Sequence, residues 1–326
     1  MGIKCLERGV IMAKVICPGE VLIDFISLEN GKKLVDVERF QKKAGGAPAN
    51  VATALVKLGA SAEFVGAVGK DSFGKFLMDT LERYQVGTKH VIKDETLGTT
   101  IAYVSIDEQG ERDFEFMRGA DGNLSPDQID FEAFKDCKIV HLGSATALLG
   151  DKLYEVYKSF ISFAIENHKF ISFDPNYREA LYHDKKELFI KHCKEVIKSV
   201  DLIKVSEEEG QIITGETDHQ KMILALHELG AKIVTLTLGK EGSLISINKI
   251  YKVESVPVNM IDSTGAGDAF IGALLSQIAN LNNPKEILTD EAMLVEFTQN
   301  ANKVGALTTT KLGALDSIPS WDEIAM

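Results

Sequence analysis

Apolar residues in the central and C-terminal parts of the chain alternate between short continuous runs and longer stretches with a helical period. Residues 139–142 read Ile-Val-His-Leu, which is typical of a buried strand, and the stretch 151–167 repeats its apolar residues every three to four positions. The same alternation predicts strands at 170–173, 202–205 and 233–238 and helices near 185–198 and 219–229. Such a pattern predicts parallel βαβ units with right-handed crossovers, and therefore an α/β fold with helices on both faces of a central, mostly parallel sheet.

The N-terminal part of the chain has a different pattern. After a strand at 15–17, the stretch 19–41 alternates polar and apolar residues around Asn30-Gly31, and residues 99–117 alternate around a polar turn at 108–110. Helices are predicted near 48–58 and 73–84. We expect the two alternating stretches to form one small second sheet, from about 25–43 and 98–118, that covers a site as a lid and lies inside one domain spanning residues 12–326.

Composition and charge narrow the classes of function. The chain has 326 residues, of which 45% are hydrophobic and 26% are charged, and these values are typical of globular proteins. Lys and Arg number 36 against 48 for Asp and Glu, and the net charge of -12 argues against a broad nucleic-acid-binding face. No apolar run approaches the ~20 residues of a membrane span. Four cysteines without CxxC spacing predict free thiols in a reducing cytoplasm.

The first residues of the chain contain a second plausible start. Residues 12–20 read MAKVICPGE, and the preceding segment lacks the apolar core and cleavage site of a signal peptide. We interpret residues 1–11 as an N-terminal extension that is poorly ordered.

The most informative motif is the string Asp-Ser-Thr-Gly-Ala-Gly-Asp-Ala-Phe at 262–270, which a helical period follows. Gly265 and Gly267 open a helix whose first N–H groups have no partner within the helix, so a phosphate can approach them closely. Asp268 would repel that phosphate unless it accepts a proton from an attacking hydroxyl. The alternative is a tight glycine turn with Asp268 as a helix cap.

A second glycine motif occurs at 45–50, where Gly-Gly-Ala-Pro-Ala-Asn opens a predicted helix. Gly45 and Gly46 admit a ligand close to the backbone, and Asn50 offers both a donor and an acceptor, as a polyhydroxylated substrate requires. An ordinary loop-to-helix junction is the alternative.

These two motifs resemble the signatures of the ribokinase/PfkB carbohydrate kinase family, and the resemblance extends over the chain from Met12 onward. It implies a ribokinase-like three-layer α/β sandwich with a small β-sheet lid. It also implies transfer of the ATP γ-phosphoryl group to a hydroxyl of a sugar or nucleoside, with ATP, Mg²⁺ and K⁺ as cofactors.

The resemblance implies roles for residues at matching positions. Asp268 would be the catalytic base, and Gly265, Ala266 and Gly267 would form the anion hole. Asp24 would hold sugar hydroxyls together with Gly45, Gly46 and Asn50, although Asp24 also suits a polar strand end. The stretch 237–242 resembles the nucleotide loop of the family, with Thr237, Gly239 and Gly242 as its contacts, and Asn302 matches a position beside the adenine.

The cation sites are implied by the resemblance alone. The NxxE motif of the family appears here with Ser206 in place of Asn and with Glu209 retained, as is common in fructokinases. The positions that match the potassium site are Asp262, Thr264, Thr308, Lys311, Gly313 and Ser317. Lys311 could serve there only through its carbonyl, because its ammonium would repel the ion.

Several strings resemble fructokinases more than other branches of the family. These are the opening GEVLIDF, the strand end Asp174–Arg178 and the run KVSEEE at 204–209. Ribokinases carry a sugar-binding glutamate where this chain has Gly143. Arg118 and Arg178 are candidates to face the sugar, and arginine would equally suit the carboxylate of 2-keto-3-deoxygluconate. Tyr103 is expected to cover the substrate, or else to belong to the lid core.

We therefore expect a cytoplasmic fructokinase that forms a homodimer through its lid, with a 2-keto-3-deoxygluconate kinase or a ribokinase as alternatives. The chain lacks the G-x-G-x-x-G of dinucleotide-binding enzymes and the G-x-x-x-x-G-K-[ST] of Walker-type nucleotidases. A non-catalytic sugar-binding protein is the more distant alternative, but such a protein would not need Asp268.

Overall fold

A nine-stranded sheet forms the centre of the computed structural model, which describes residues 15–29, 31–106 and 112–325. Its strands are β1 (Val15–Pro18), β4 (Ala62–Gly69), β5 (Val91–Asp94), β8 (Ile139–Leu142), β9 (Phe170–Phe173), β10 (Leu202–Ser206), β11 (Ile233–Thr237), β12 (Ser243–Ser246) and β13 (Ile250–Val253). The spatial order is β13-β12-β11-β10-β9-β8-β1-β4-β5. All neighbours from β11 to β5 are parallel, and β12 and β13 add an antiparallel edge.

Helices cover both faces of this sheet. They are α1 (Ala47–Lys57), α2 (Ser72–Arg83), α3 (Lys152–Glu166), α4 (Glu179–Tyr182), α5 (Lys186–Ile197), α6 (Glu207–Thr214), α7 (His219–Leu229), α8 (Ala266–Asn280), α9 (Glu291–Thr308), α10 (Ala314–Ser317) and α11 (Trp321–Ala325). One apolar core joins a face of the sheet to α1, α2, α8 and α9, and a second joins the opposite face to α3, α5 and α7. The strands are apolar on both sides because each side faces one of these cores.

A second sheet contains β2 (Leu22–Ser27), β3 (Phe40–Gly45), β6 (Ile101–Ile106) and β7 (Arg112–Met117), in the order β3-β2-β6-β7. Each hairpin is antiparallel, but β2 and β6 are joined by parallel pairing, with Ile23 opposite Ile101. We call this sheet the lid.

The predicted three-layer architecture with a small second sheet is confirmed. The structure adds four strands that the sequence analysis did not predict, namely β4, β5, β12 and β13. The stretch Ala62–Gly69 has little polar alternation, since seven of its eight residues are buried, and β12 and β13 are only four residues long. The proposed extension at residues 1–11, Asn30 and the turn at 108–110 lie outside the described residues.

Helices α1 and α8 bring the two glycine motifs together, because both helices begin at the carboxyl edge of the parallel strands. They pack closely along their length: a Cβ added to Gly272 of α8 would lie 2.5 Å from the Cβ of Ala54 in α1. Within the described part of the chain, no helix is both long enough and apolar enough to cross a membrane.

The contact between Gly272 and Ala54 should set the distance between these helices. We expect Gly272→Ala to lower the free energy of unfolding by ~1–3 kcal/mol, because the added methyl group has no space. Adding Ala54→Gly should recover part of this loss, beyond the effect of Ala54→Gly alone. Urea denaturation of the two single variants and the double variant measures this coupling. Strict additivity of the two effects would contradict the proposed contact.

Candidate active site

A cavity of about 790 Å³ lies between the lid and the carboxyl edge of the central sheet. The lid contributes mostly apolar side chains to it, including Ile26, Val104, Phe114 and Phe116. The lid also contributes Asp24, and the opposite wall is polar and contains Glu20, Asn50, Asn176, Arg178, Lys204, Glu209, Gly265, Gly267 and Asp268. An apolar lid over a polar floor suits a small hydrophilic ligand that reacts away from water.

The two glycine motifs meet at the floor of this cavity. Gly265 has a left-handed backbone (φ +78°) and is the N-cap of α8, and the first backbone bond of the helix runs from Ala269 N–H to the Gly265 carbonyl. Asp268 is buried, and its Oδ2 accepts a hydrogen bond from Asn50 Nδ2 at 2.8 Å. Asn50 Oδ1 is buried without a partner in the described part of the chain. The site therefore presents a carboxylate, an unpaired acceptor and a helix N-terminus within one small volume.

A buried lysine, which the sequence analysis did not select, lies beside the same helix N-terminus. Lys204 Nζ donates to Asp174 Oδ2 at 3.0 Å, and a Cβ added to Gly267 would lie 3.1 Å from that nitrogen. Burial opposes the charge of Lys204, but Asp174 and Glu209 outweigh that effect and raise the pKa of the ammonium to about 12. Lys204 is therefore a fixed positive charge against the start of α8.

Glu209 supports this cluster through the backbone. Its Oε1 accepts from Tyr177 N–H at 2.9 Å and its Oε2 from Ser206 N–H at 2.8 Å, and Ser206 in turn caps α6. Burial raises the pKa of Glu209, but Lys204 and these N–H groups outweigh it, and the net shift is downward. Glu209, which matches the glutamate of the NxxE motif, is thus a charged carboxylate that is buried near Lys204 and is not exposed to solvent at the helix start.

Asp24 lines the cavity, and Gly45 lies against its carboxylate. A Cβ on Gly45 would lie 2.0 Å from Asp24 Oδ2, so a larger residue there would displace the Asp24 carboxylate. Removal from water raises the pKa of Asp24 to about 7, although the nearby charge of Arg178 lowers it in part. Arg178 lines the cavity, and its Nη1 donates to the Tyr177 carbonyl at 2.9 Å.

Two residues that the sequence analysis offered as substrate contacts, Arg118 and Tyr103, do not line the cavity. Arg118 does not line the cavity, because its guanidinium is paired with Asp121, at 3.1 Å, and with Asp151. Tyr103 lies on the far face of the lid, where it stacks on Phe25 with ring centroids 5.4 Å apart and meets the edge of Phe40. The side chains of Asp24, Ile26 and Val104 alternate with these rings along the strands and face the cavity instead.

The residues predicted to hold the nucleotide lie outside this cavity. Thr237 ends β11, Gly239 follows it, and Gly242 has φ +94° with β13 too close for a side chain. Asn302 is buried, donates to the Val253 carbonyl at 2.9 Å and accepts from Ser243 Oγ at 3.3 Å. Its amide therefore ties α9 to the antiparallel edge of the sheet.

The predicted potassium positions lie on two segments, 262–264 and 308–317, which a hydrogen bond between Asp262 and Gly313 joins. Asp262 Oδ1 accepts from the N–H and Oγ1 of Thr264, and its Oδ2 accepts from Gly313 N–H at 3.0 Å. Ser317 Oγ donates to the Gly313 carbonyl, and Thr308 Oγ1 donates to the Val304 carbonyl. Lys311 turns its ammonium towards Glu323, so only its backbone remains for a ligand role. Across the residues that the structure describes, no group of three or more His, Cys, Asp or Glu side chains could hold a metal by itself.

Comparison with known proteins identifies the family. The model of the pfkB family carbohydrate kinases matches residues 12–321. The chain belongs to this family. It is 37% identical over 314 residues to fructokinase-1 of Zea mays, with 95% of this chain and 96% of that protein covered, and 34% identical over 313 residues to fructokinase-2 of Solanum lycopersicum, with 95% and 94% covered.

Solved fructokinases share the fold. A fructokinase of Vibrio cholerae, solved with fructose, ADP and calcium, has a TM-score of 0.84 and 32% identity, and 96% of this chain and 98% of that chain are covered. A fructokinase of Xylella fastidiosa with bound ATP has a TM-score of 0.85 and 29% identity, with 96% and 97% covered. The pfkB chain described here is therefore an ATP-dependent sugar kinase.

The raised pKa of Asp24 predicts an unusual dependence of stability on pH. The carboxyl has a pKa of about 7 in the folded chain against 3.8 ordinarily, so between these values the folded chain holds a proton that the unfolded chain has released. Its contribution to stability therefore falls as the pH rises from about 4 to 7. We expect the free energy of unfolding of Asp24→Asn, relative to the unmodified protein, to be about 2–3 kcal/mol higher at pH 8 than at pH 5. Urea denaturation of both proteins at both pH values measures this effect. The same effect of Asp24→Asn at pH 5 and pH 8, or a larger stabilisation at pH 5, would contradict the burial of the Asp24 carboxyl.

Proposed function

We propose that the chain is a fructokinase that converts D-fructose and ATP to D-fructose 6-phosphate and ADP. The observation that carries this proposal is the contact between Asp268 and Asn50, which joins the anion-binding helix start to the glycine loop that would hold the sugar. The similarity to plant and bacterial fructokinases supports the choice of sugar.

The reaction requires one proton acceptor. The C6 hydroxyl of fructose would donate its proton to Asp268 while its oxygen attacks the γ-phosphorus, and the bond to the β,γ-bridging oxygen of ATP would break. Backbone N–H groups at Gly265, Ala266 and Gly267 would stabilise the charge that develops on the transferred group. Lys204 lies against Gly267 and would add a positive charge there.

The sugar would lie between the start of α1 and the lid. Asp24, Asn50, Gly45 and Gly46 would contact its hydroxyls. Gly143 occupies the position of the sugar-binding glutamate of ribokinases. A Cβ at Gly143 would lie only 2.4 Å from His141 Nε2, and this lack of space supports fructose over ribose. A glutamate there would require the buried imidazole to move.

The nucleotide would extend from the anion hole towards the loop that contains Thr237, Gly239 and Gly242, with Asn302 behind it. Met260, Ile261 and Leu312 are large apolar side chains that are each more than 60% exposed, and Ile261 and Leu312 line the cavity. These side chains would cover the nucleotide on its solvent side.

Two cations would assist the transfer. Magnesium suits the site because Glu209 and Asp268 supply negative charge while the ATP phosphates supply most ligands, and it would neutralise charge on the phosphates. Potassium would bind between the Asp262–Thr264 loop and the carbonyls of Thr308, Lys311 and Gly313, with Ser317 beside them. The oxygen-rich backbone loops held by Asp262 fit a monovalent ion.

We further propose that the protein acts in the cytoplasm as a homodimer that is paired through the lid. The far face of the lid supports this, because Phe25, Phe40 and Tyr103 form a ring cluster there that is only half-buried.

A second candidate activity is phosphorylation of 2-keto-3-deoxygluconate. Arg178 favours it, because its side chain lines the cavity close to Asp24 and could pair with a substrate carboxylate. The Tyr177 carbonyl accepts from one guanidinium nitrogen of Arg178, and the remaining N–H groups are the donors that such a carboxylate would use.

Removal of the proton acceptor tests the catalytic assignment. We expect Asp268→Asn to lower kcat by ~10²–10⁴-fold, while the binding of ATP and of sugar changes much less. A coupled assay for ADP formation measures kcat, and calorimetry measures binding. The exposed carboxylate of Asp79 provides a control, since Asp79→Asn should leave kcat unchanged. Near-normal turnover by Asp268→Asn would exclude Asp268 as the base.

A sugar panel tests the substrate assignment. We expect fructose to have a kcat/KM at least ~100-fold higher than ribose, because buried polar groups that match one set of hydroxyls are left unpaired by another. The panel should contain fructose, ribose, 2-keto-3-deoxygluconate, adenosine and fructose 1-phosphate. A higher kcat/KM for 2-keto-3-deoxygluconate than for fructose would replace the first candidate with the second. The absence of phosphorylation of every sugar would favour a non-catalytic protein.

A further inference from the structure

Glu20, in the loop between β1 and β2, lines the cavity and joins three separate segments of the chain. Its Oε1 accepts from Ala47 N–H at 3.2 Å and from Ala145 N–H at 3.3 Å, and its Oε2 accepts from Ser144 Oγ. Glu20 is only 1% exposed. Ala47 is the first residue of α1, so this carboxylate fixes the start of the helix that carries Asn50.

A second buried carboxylate is linked to Glu20 through one hydroxyl. Thr146 Oγ1 lies 2.8 Å from Asp121 Oδ2 and 3.4 Å from Glu20 Oε2. A hydroxyl has a single proton to donate, and the shorter distance assigns it to Asp121. Two buried carboxylates thus face each other across Thr146.

Asp121 fastens both ends of the lid hairpin to the main domain. Thr100, next to the start of β6, donates its hydroxyl to Asp121, and Arg118, next to the end of β7, donates Nε to it at 3.1 Å. Gly119 N–H donates to Thr100 Oγ1 at 2.8 Å, which closes the two ends together. A continuous chain of contacts therefore runs from the lid through Asp121, Thr146 and Glu20 to the start of α1.

We propose that Glu20 is a positioning residue for the sugar subsite, which holds the glycine loop and Asn50 in register with the lid. The expected effects on KM rest on the proposed sugar kinase activity, whereas the expected effects on hydrogen exchange do not. Glu20 lines the cavity, but both of its oxygens accept from protein groups, so it acts through the backbone of Ala47. The proposed sugar contacts are Asp24, Asn50, Gly45 and Gly46.

The energetic cost of Glu20 supports a role beyond stability. Burial raises the pKa of Glu20 to about 7, and the charge of Asp121 adds to this, while the hydrogen bond from Ser144 opposes it. A carboxylate under these conditions destabilises the fold when it ionises. An apolar side chain would avoid that cost but would leave the N–H groups of Ala47 and Ala145 without an acceptor.

Substitutions that keep or remove the acceptor separate positioning from folding. Glu20→Gln keeps an oxygen for Ala47 and Ala145, whereas Glu20→Met removes it at similar volume. We expect Glu20→Met to raise the KM for the best sugar about tenfold or more, with the KM for ATP within about twofold, because the nucleotide loop lies elsewhere. Glu20→Gln should recover most of the sugar affinity. Glu63→Gln, a half-buried carboxylate on β4 outside the cavity, is the matched control and should change neither KM.

Hydrogen exchange provides a readout that needs no activity. In the protein without ligands, we expect Glu20→Met to speed amide exchange by at least about tenfold in residues 45–50 and 144–147, while the antiparallel edge at β12 and β13 is unchanged. A loss of thermal stability with an unchanged sugar KM, an equal rise of both KM values, or unchanged exchange at 45–50 would each overturn the proposal. If the unmodified protein phosphorylates no sugar, the proposed function fails and the exchange experiment alone decides the role of Glu20.

Discussion

The close packing of α1 on α8 is the constraint on which the site depends. Each helix begins with a glycine motif at the same edge of the sheet, and Gly272 allows the two backbones to approach so that Asn50 reaches Asp268. Neither helix start is a site by itself. The N–H groups at the start of α8 attract an anion of any kind. The site becomes specific because Asn50, at the start of α1, holds the Asp268 carboxylate beside those N–H groups, and this carboxylate requires a ligand that can donate a proton.

Burial of charge is the second feature that organises the cavity. Glu20, Asp24, Asp174 and Glu209 are all carboxylates of the cavity floor or its support, while Lys204 and Arg178 are the cations among them. This excess of negative charge is costly in the empty protein. It is compatible with ligands that bring cations with them.

The sequence was sufficient to predict those features that depend on local pattern. The βαβ units and the lid as one sheet follow from periodicity. The meeting of the two glycine motifs follows from the roles that the family resemblance implied for Asn50 and Asp268. The features that the sequence did not predict are the face of a strand on which a side chain lies and the partners that a side chain finds far away in the sequence. Tyr103 and Val104 are adjacent on β6, and only the register with β2 decides which one faces the cavity. Arg118 was hard to predict because Asp151, one of its two partners, is 33 residues away in the sequence and approaches it only in the folded chain. Lys204 could have been selected, since a lysine inside the buried strand Leu202–Ser206 requires a partner.

The parallel pairing between β2 and β6 has a consequence for how the chain folds. Ile23 pairs with Ile101, a separation of 101 − 23 = 78 residues, and α1, β4, α2 and β5 all lie between them. A strand pair that encloses so much chain is costly in loop entropy until the intervening elements have docked. The two hairpins are therefore joined into one sheet only by way of the main-domain elements that lie between them in the chain. During synthesis, the first hairpin leaves the ribosome long before its partner strand exists, so its edge at β2 must remain unpaired through that interval.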